Sequence, residues 1–410
     1  MTDWVTNHPE LVIAVVKIAL LLFILLTAIA YAVWFERKVI AHVQARWGPY
    51  RVGPHGLLQP LADGLKFIFK EDIIPANVSS RFLYLLAPFL AVTLALLAVA
   101  VIPFGPEVEI FGTTTGFSIA DINIALLFVL GVTSLTVYSV ALAGWSSNSK
   151  YPLLGALRST AQMVSYELAL TLSVIGVLLL AGSLSLREIV EGQSGRLPVP
   201  GLGFLPNWYI FPQFVAFICF FISSIAETNR APFDLAEAET ELVAGFHTEY
   251  SSMKFAMFFL AEYAHIFTAS FLATILFFGG WRSPFPETSA WEWTQYLPAV
   301  AAALLGLYLL LDTFRHAHST LHRGLITLLG LALLGVGGLL ALVLPLLLLI
   351  QGPFWFILKT VAFLFVFVWI RATLPRFRYD QLMAFGWKFL LPLAVVNIIV
   401  TSLALVWPVR

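Results

Sequence analysis

Long apolar runs separated by short polar segments dominate this chain. A helix crosses the hydrocarbon core of a bilayer with about 20 apolar residues. Runs close to or above this length lie at 11–34, 82–103, 121–144, 160–181, 207–226, 253–280, 296–313, 325–350, 354–370 and 388–407. They are continuous and do not alternate with period two, as membrane strands do. The pattern predicts an all-α protein, a polytopic transmembrane helical bundle of about ten spans in a single integral membrane domain, 1–410.

Composition agrees with a membrane protein. Hydrophobic residues make up 60% of the chain and charged residues 11%, whereas a soluble domain carries about 25% charged residues. The net charge is zero, which gives no sign of a nucleic-acid partner. Cys219 is the single cysteine, so the chain alone can form no internal disulfide and hold no iron–sulfur cluster.

The basic residues predict the orientation, because cytoplasmic loops carry an excess of Lys and Arg. With the N-terminus outside, 17 of the 23 Lys and Arg residues fall in the inner segments 35–81, 145–160, 227–254, 314–324 and 371–388. The first apolar run is too long for a signal-peptide core and has no basic flank before it, so we expect it to be retained. Both termini are therefore predicted on the outer side.

Residues 57–72 follow a different pattern, in which apolar and polar positions alternate with helical period. The apolar positions are Leu57, Leu61, Leu65, Ile68 and Phe69. Charged side chains, such as Asp63 and Lys66, fill the other face. The segment is predicted to be an amphipathic helix on the cytoplasmic surface of the membrane.

Acidic residues concentrate between two apolar runs, at 227–250. Six of the 23 acidic residues stand there: Glu227, Asp234, Glu237, Glu239, Glu241 and Glu249. Like charges crowded beside a bilayer raise one another's pKa values toward the range where protons exchange at neutral pH. The alternative is a solvated acidic loop. Ionisable groups packed against membrane spans are usually functional, which favours the first interpretation.

Two further carboxylates lie inside predicted spans. Glu167 stands about seven residues into the fourth span, where an unpaired carboxylate costs several kcal/mol, so we expect it to be protonated or paired. Glu262 stands in the sixth span beside Tyr263 and His265 and is the weaker functional candidate of the two.

Several motifs connect the chain to one known family. They occupy 46–63, 144–158, 165–167, 227–239, 246–252 and 371–381. Together they resemble the membrane subunit of proton-pumping NADH:quinone oxidoreductase (respiratory complex I) that forms the quinone channel, called the H subunit in bacteria. The likeness covers about 11–295 and 353–408, with the motifs in the family's order.

The resemblance implies a non-redox subunit that is not catalytic alone, in the bacterial plasma (inner) membrane. Quinone is the implied substrate, and no metal, flavin or covalently bound cofactor is expected in this chain. The implied partners are membrane lipids, the peripheral redox-arm subunits and the antiporter-like membrane subunits. Residues implied to line the quinone tunnel are Glu36, Arg37, Arg46, Phe67, Arg230 and Asp234. Residues implied in a proton relay are Glu167, Glu227, Glu237, Glu239, Glu241 and Glu249.

Four features depart from the family's pattern. Tyr50 stands where the family usually has Asn, and Ala236 where it usually has Pro. Ser134 aligns with a position at which some relatives carry Glu. The largest departure is 296–351, predicted to be an extra helical hairpin added to eight family-like spans. We expect it to pack outside the bundle with its histidine-bearing tip in the cytoplasm.

Other functions remain open at this point. A homologous subunit of membrane-bound hydrogenases needs no quinone, and the intact segments 232–235 and 237–239 favour the quinone branch. A stand-alone ion transporter is expected to show internal repeats with matched broken helices, and the sequence shows no such repeat. A haem carrier of the cytochrome b type needs two histidines within spans, where only His265 stands. His318 and His322 are spaced to clamp a metal, but a surface-exposed tip is the favoured interpretation.

Overall fold

The computed structural model describes residues 9–110, 113–197, 205–234, 243–285, 289–316 and 320–406. Within them thirteen α-helices form a membrane-type bundle, which confirms the predicted all-α class. They are α1 (Pro9–Val43), α2 (Gln59–Phe69), α3 (Arg81–Val99), α4 (Ala125–Ser146), α5 (Lys150–Ala181), α6 (Leu186–Gly192), α7 (Phe214–Glu227), α8 (Ser252–Phe277), α9 (Leu297–His316), α10 (Thr320–Leu342), α11 (Leu344–Thr373), α12 (Tyr379–Phe385) and α13 (Leu391–Val406).

Nine segments of the described residues are long and apolar enough to cross a membrane, and α7 is a shorter apolar helix of 14 residues. The predicted span at 207–226 is therefore helical only in its second part. Pro212 accounts for this, because a proline disfavours helical geometry in the residue before it. The side chain of Gln213 bonds to α13 at this point, donating to Thr401 at 2.8 Å and accepting from Asn397 at 2.7 Å.

Small residues let the central helices α3, α4, α5, α7 and α8 approach closely. A Cβ on Gly144 in α4 would lie 2.6 Å from the carbonyl oxygen of Pro152 in α5. A Cβ on Gly155 would lie 2.7 Å from the Cα of Gly245, in the short 3₁₀ turn Gly245–His247. Close backbone packing of this kind drives helix association in membranes, where lipid and side chains are equally apolar. It fixes the connection between α7 and α8 against the bundle.

Lys17 and Lys359, the two basic residues inside predicted spans, both bind backbone carbonyls. The ammonium of Lys359 donates to the carbonyl oxygens of Phe278, Gly280 and Arg282 at 2.6, 2.9 and 2.6 Å, just beyond the C-terminus of α8. Lys17 donates to the carbonyl of Gly116 at 2.7 Å. Phe278 is the C-cap of α8, so the Lys359 ammonium lies at the negative end of that helix dipole, which is favourable for a cation.

A two-stranded antiparallel pair, β1 (Val108–Ile110) and β2 (Thr113–Thr115), lies in the connection between α3 and α4. The sequence pattern did not predict this pair. The strands have three residues each and lie outside the apolar runs, so they do not change the all-α class. Nearby, the Arg187 guanidinium bonds to Glu107 and holds the pKa of that carboxyl below its usual value.

The predicted amphipathic helix is α2, although it is shorter than the predicted 57–72. Its apolar side chains face away from the rest of the chain: Leu61, Ile68 and Phe69 are 63%, 60% and 83% exposed. Polar contacts hold the other side, where the hydroxyl of Ser252 donates to the carbonyls of Phe67 and Lys70 at 2.8 and 3.0 Å. The exposed apolar face is thus free to meet lipid or a partner subunit.

The added hairpin consists of α9 and α10, which pair closely and both contact α11. A Cβ on Gly330 would lie 3.0 Å from the carbonyl oxygen of Gly306, so small residues bring these two helices together as well. The predicted span 325–350 is wrong at its end: α10 stops at Leu342, and residues 344–353 belong to α11. A proline in the first turn of α11 explains the boundary. The tip, 317–319 with His318, lies outside the described residues.

Candidate functional site

A first cavity lies between α1, α8 and α11 and has a volume of about 20 Å³. Its wall is mostly apolar, with a polar end formed by Glu36, Arg230, Tyr263 and Arg371. The volume is enough for a water molecule. A complete pocket for a small organic molecule is larger, roughly 300 Å³ or more.

Glu36 is the centre of the polar end of this cavity. It is only 7% exposed, although it stands near the C-terminal end of α1. It accepts a hydrogen bond from the Tyr263 hydroxyl at 2.8 Å and forms an ion pair with Arg371 of α11. The three side chains come from three helices, so the cluster ties α1, α8 and α11 together at one depth. A buried carboxylate requires such partners.

Arg230 continues this cluster inward from the turn after α7. It is 6% exposed, and its guanidinium lies 4.4 Å from the ring centroid of Tyr263 and 5.4 Å from that of Phe259. A guanidinium nitrogen lies 3.5 Å from a carboxylate oxygen of Glu262. A planar, permanently charged guanidinium suits this combination of stacking and ion pairing. Arg230 therefore stands between Glu36 and Glu262.

A second cavity, of about 40 Å³, lies on the other side of Glu262. Three ionisable residues line it, Glu227, Glu262 and His265, together with the hydroxyl groups of Thr136 and Ser139. The volume and the polar wall are sufficient for two or so water molecules, each needing roughly 10–15 Å³ and two to four polar partners. Glu262, the weaker candidate in the sequence, therefore pairs with Arg230 on one side and lines the second cavity on the other.

Glu167 lies beyond the second cavity, close enough to Glu227 for the two carboxylates to interact electrostatically. The hydroxyl of Ser134, in α4, donates a short hydrogen bond to Glu167. The serine that replaces a family glutamate therefore still contacts the neighbouring carboxylate. A line of ionisable and polar side chains inside the bundle results (the buried line), from Glu36 through Tyr263, Arg230, Glu262 and Glu227 to Glu167. Glu36, Tyr263 and Arg230 are buried, and the other three are partly buried.

Asp234 belongs to a neighbouring contact. It is 5% exposed and lies 3.2 Å from the guanidinium of Arg376, in the segment before α12. Phe233 and Phe377 stack alongside with ring centroids 5.7 Å apart. Arg371 and Arg376 were not among the predicted site residues. The signal was present in the sequence, since both belong to the motif at 371–381.

Three predicted tunnel residues lie closer to the surface than Glu36. Arg37 bonds to Asp63 at 2.8 Å, which joins α1 to α2. Phe67 of α2 lies 6.1 Å from Phe255 of α8, measured between ring centroids. Arg46 is exposed and bonds locally to a side chain two residues before it. Arg37 and Phe67 thus connect α2 to α1 and α8, the helices beside the first cavity. The bond of Arg46 stays within its own loop.

The remaining predicted relay residues separate into two groups. Glu249 does not line the second cavity as the structure describes it, and its main-chain carbonyl accepts the Tyr84 hydroxyl at 2.7 Å. Glu237, Glu239 and Glu241 lie outside the described residues. Among the residues that are described, no three His, Cys, Asp or Glu side chains cluster as metal ligands would.

The bundle and its buried line of ionisable groups define a class, a polytopic membrane protein whose polar chemistry lies inside the helix bundle. Residues 16–402 match the family described as NADH dehydrogenase. The chain therefore belongs to the NADH dehydrogenase family that includes the H subunit of NADH-quinone oxidoreductase, in agreement with the resemblance stated above.

Similar relatives span nearly the whole chain, and each is an H subunit of NADH-quinone oxidoreductase. The one numbered 1 in Solibacter usitatus (strain Ellin6076) is 51% identical over 410 residues, covering 97% of this chain and 98% of the relative. The one numbered 2 in Koribacter versatilis (strain Ellin345) is 52% identical over 405 residues, covering 96% and 97%. The one from Thermomicrobium roseum (strain ATCC 27502 / DSM 5159 / P-2) is 45% identical over 405 residues, covering 99% and 98%.

Proposed function

We propose that this chain is the non-redox membrane subunit of a proton-translocating NADH:quinone oxidoreductase. In this role it forms the quinone tunnel and an acidic relay that couples quinone reduction to proton pumping. The observation that carries the proposal is the buried line from Glu36 to Glu167. Ionisable groups inside membrane proteins are costly and mark the paths of ions and protons. The names of the full-length relatives support the choice of enzyme.

The first cavity supports the tunnel. Its apolar wall includes Phe35, Ile266 and Leu364, which suit an isoprenoid tail, and its polar end suits a quinone oxygen. At about 20 Å³ the cavity is far too small for a quinone headgroup. We therefore assign α1, α8 and α11 one wall of the tunnel, and a neighbouring subunit completes the headgroup site.

The second cavity supports the relay. It offers room for water beside Glu227, Glu262 and His265, so water molecules can pass protons between these side chains. Arg230 provides the link to the first cavity. A change of charge near Glu36 moves the permanently charged guanidinium of Arg230 relative to Glu262, 3.5 Å from it in this structure, and so changes the proton affinity of Glu262. Carboxylates coupled in this way titrate as a set.

The proposal includes the subunit's partners, and we expect the isolated chain to be inactive. A tag on this subunit, with purification in mild detergent, should recover a flavin and iron–sulfur redox arm, antiporter-like subunits and bound quinone. Mass spectrometry and absorption spectra identify each component. Recovery as a stable monomer that transports ions in liposomes would contradict the proposal and support the transporter. Recovery with a hydrogenase module would support the homologous hydrogenase subunit instead.

The proposal also places both termini on the outer side of the plasma membrane and the hairpin tip in the cytoplasm. A His318→Cys variant should react with impermeant thiol reagents only in inverted vesicles, because inversion turns the cytoplasmic tip toward the external medium. Cys219 is buried and gives a low background. A Glu188→Cys variant, exposed in α6, is the matched control and should react only in intact cells. Labelling of His318→Cys from outside would refute the predicted orientation.

A further inference from the structure

The added hairpin makes a polar contact with the connection between α1 and α2. Asp312, in α9, is 7% exposed, and its carboxylate oxygen lies 2.6 Å from Nε2 of His55. His55 stands in the short 3₁₀ turn Pro54–Gly56, against which α10 also packs. Both helices of the hairpin therefore meet this turn. It lies at the end of the bundle where α1 and α2 are joined.

Two unfavourable features meet at this contact. Asp312 is a carboxylate within a span, which is costly to remove from water unless it is paired. His55 has φ 49° and ψ 23°, in the left-handed region that a residue with a side chain rarely adopts. The strain persists because the surrounding turn holds it. Strained residues of this kind cluster where geometry has a function.

The turn that presents His55 has little freedom to change shape. Gly53 and Gly56 have φ of 72° and 77°. A Cβ on Gly56 would lie 2.5 Å from the carbonyl oxygen of Pro49, so the backbone is in direct contact with itself across the turn. The His55 ring is therefore held by a compact frame on one side and by Asp312 on the other.

His55 carries the contact onward to α1. Its ring meets the ring of Tyr50 edge-on, with centroids 5.4 Å apart and an interplanar angle of 82°. The ammonium of Lys38, in α1, lies 5.4 Å from the centroid of the same Tyr50 ring. Tyr50 and the hairpin are both departures from the family's sequence pattern, and the structure brings the two together through His55.

We propose that Asp312 is a positioning residue for quinone binding. Through His55 and Tyr50 it holds the connection 44–58 against α1 and so fixes where α2 leaves α1. The ion pair between Arg37 of α1 and Asp63 of α2, at 2.8 Å, then holds α2 against α1, which lines the first cavity. The inference rests on the proposed function, since it assigns the hairpin a role in quinone affinity.

The test is quinone kinetics of the whole complex carrying Asp312→Asn, which keeps the shape and removes the charge. We expect KM for quinone to rise about fivefold with kcat nearly unchanged, as for loss of one positioning hydrogen bond. Reduction of a water-soluble acceptor by the redox arm should stay at the parental rate. Thr313→Val is the matched control and should leave KM unchanged, because Thr313 is as buried as Asp312 and its hydroxyl donates to the Leu309 carbonyl of its own helix.

A second experiment separates positioning from folding. His55→Cys and Asp312→Cys, made together and joined by a short reducible cross-linker, should restore the parental KM. Cleaving the linker should raise KM again in the same sample, which a fold defect would not do. A parent complex that does not reduce quinone overturns the proposed function. Suppose instead that the parent complex reduces quinone. An unchanged KM in Asp312→Asn, or a KM of the cross-linked variant that does not respond to cleavage of the linker, then overturns this inference alone.

Discussion

Replacing Glu227 with glutamine is expected to leave the complex assembled and to remove most of its quinone reduction and proton pumping. Glu227 lines the second cavity with Glu262 and His265. Glutamine keeps the size and hydrogen bonding of the side chain but cannot release a proton. Proton transfer by a positioned group contributes roughly 10²–10⁴-fold to a rate, so a loss of about tenfold or more is expected. Inverted membrane vesicles allow both the NADH:quinone reductase rate and the resulting pH gradient to be measured.

The same substitution at neighbouring acids tests whether they act in series. Glu262→Gln and Glu167→Gln should each lower pumping as Glu227→Gln does, and we expect the same of Glu237→Gln and Glu241→Gln. A double variant, Glu227→Gln with Glu262→Gln, should be little worse than either single one, because groups that act as a unit are not additive. Losses that multiply would indicate independent roles.

The control for this series is Glu188→Gln, an exposed acid of α6 at the other end of the bundle. It should leave reductase activity and pumping at parental levels. The amount of subunit in the membrane must be equal in all variants. If the variants of the buried line assemble and pump like the parent, these carboxylates are structural and the acidic loop is merely solvated.

The second large effect is expected at Arg371. Arg371→Gln leaves Glu36, whose side chain is 9% exposed, without its ion-pair partner. Removing one partner of a buried pair costs about 3–5 kcal/mol, and the lower end applies because the Arg371 side chain keeps 30% exposure. The detergent-solubilised complex should therefore lose quinone reductase activity at a clearly lower temperature than the parent.

A double variant separates charge from packing at this pair. Arg371→Gln combined with Glu36→Gln removes both charges, and two amides of similar shape replace the ion pair. Such a replacement is often neutral for stability, so the half-inactivation temperature should return toward that of the parent. Quinone reduction should stay low, because the polar end of the first cavity is changed. A double variant as labile as Arg371→Gln would show that Glu36 does not require this partner.

Much of the fold was predictable from local pattern. A run of about 20 apolar residues has one stable solution in a bilayer, a helix whose backbone groups bond internally. The nine long spans, including the hairpin α9–α10, follow from this rule, and the surface helix α2 follows from its amphipathic period. The errors fell at helix boundaries, and a proline lies at each. Pro212 delays the start of α7, and the proline in the first turn of α11 separates that helix from α10.

The site was also predicted only in part. Glu167 and Glu227 were identified because ionisable residues near or within apolar runs stand out in the sequence, whereas Glu36 and Arg230 were implied by the family resemblance. Their partners did not stand out. Arg371 and Arg376 belong to the motif at 371–381, but nothing in that motif indicates that they pair with Glu36 and Asp234.

The sequence by itself determined the class, because this depends on composition and local periodicity, and the family, because its motifs are contiguous stretches of the chain. The tertiary structure alone decided that Glu262 joins the two cavities and that Asp312 reaches His55 across 257 positions. Spans that are apolar on nearly all sides give little indication of which face turns inward. Which polar side chains meet is then set by helix rotation and close backbone packing, such as Gly155 against Gly245, and these are properties of the assembled bundle.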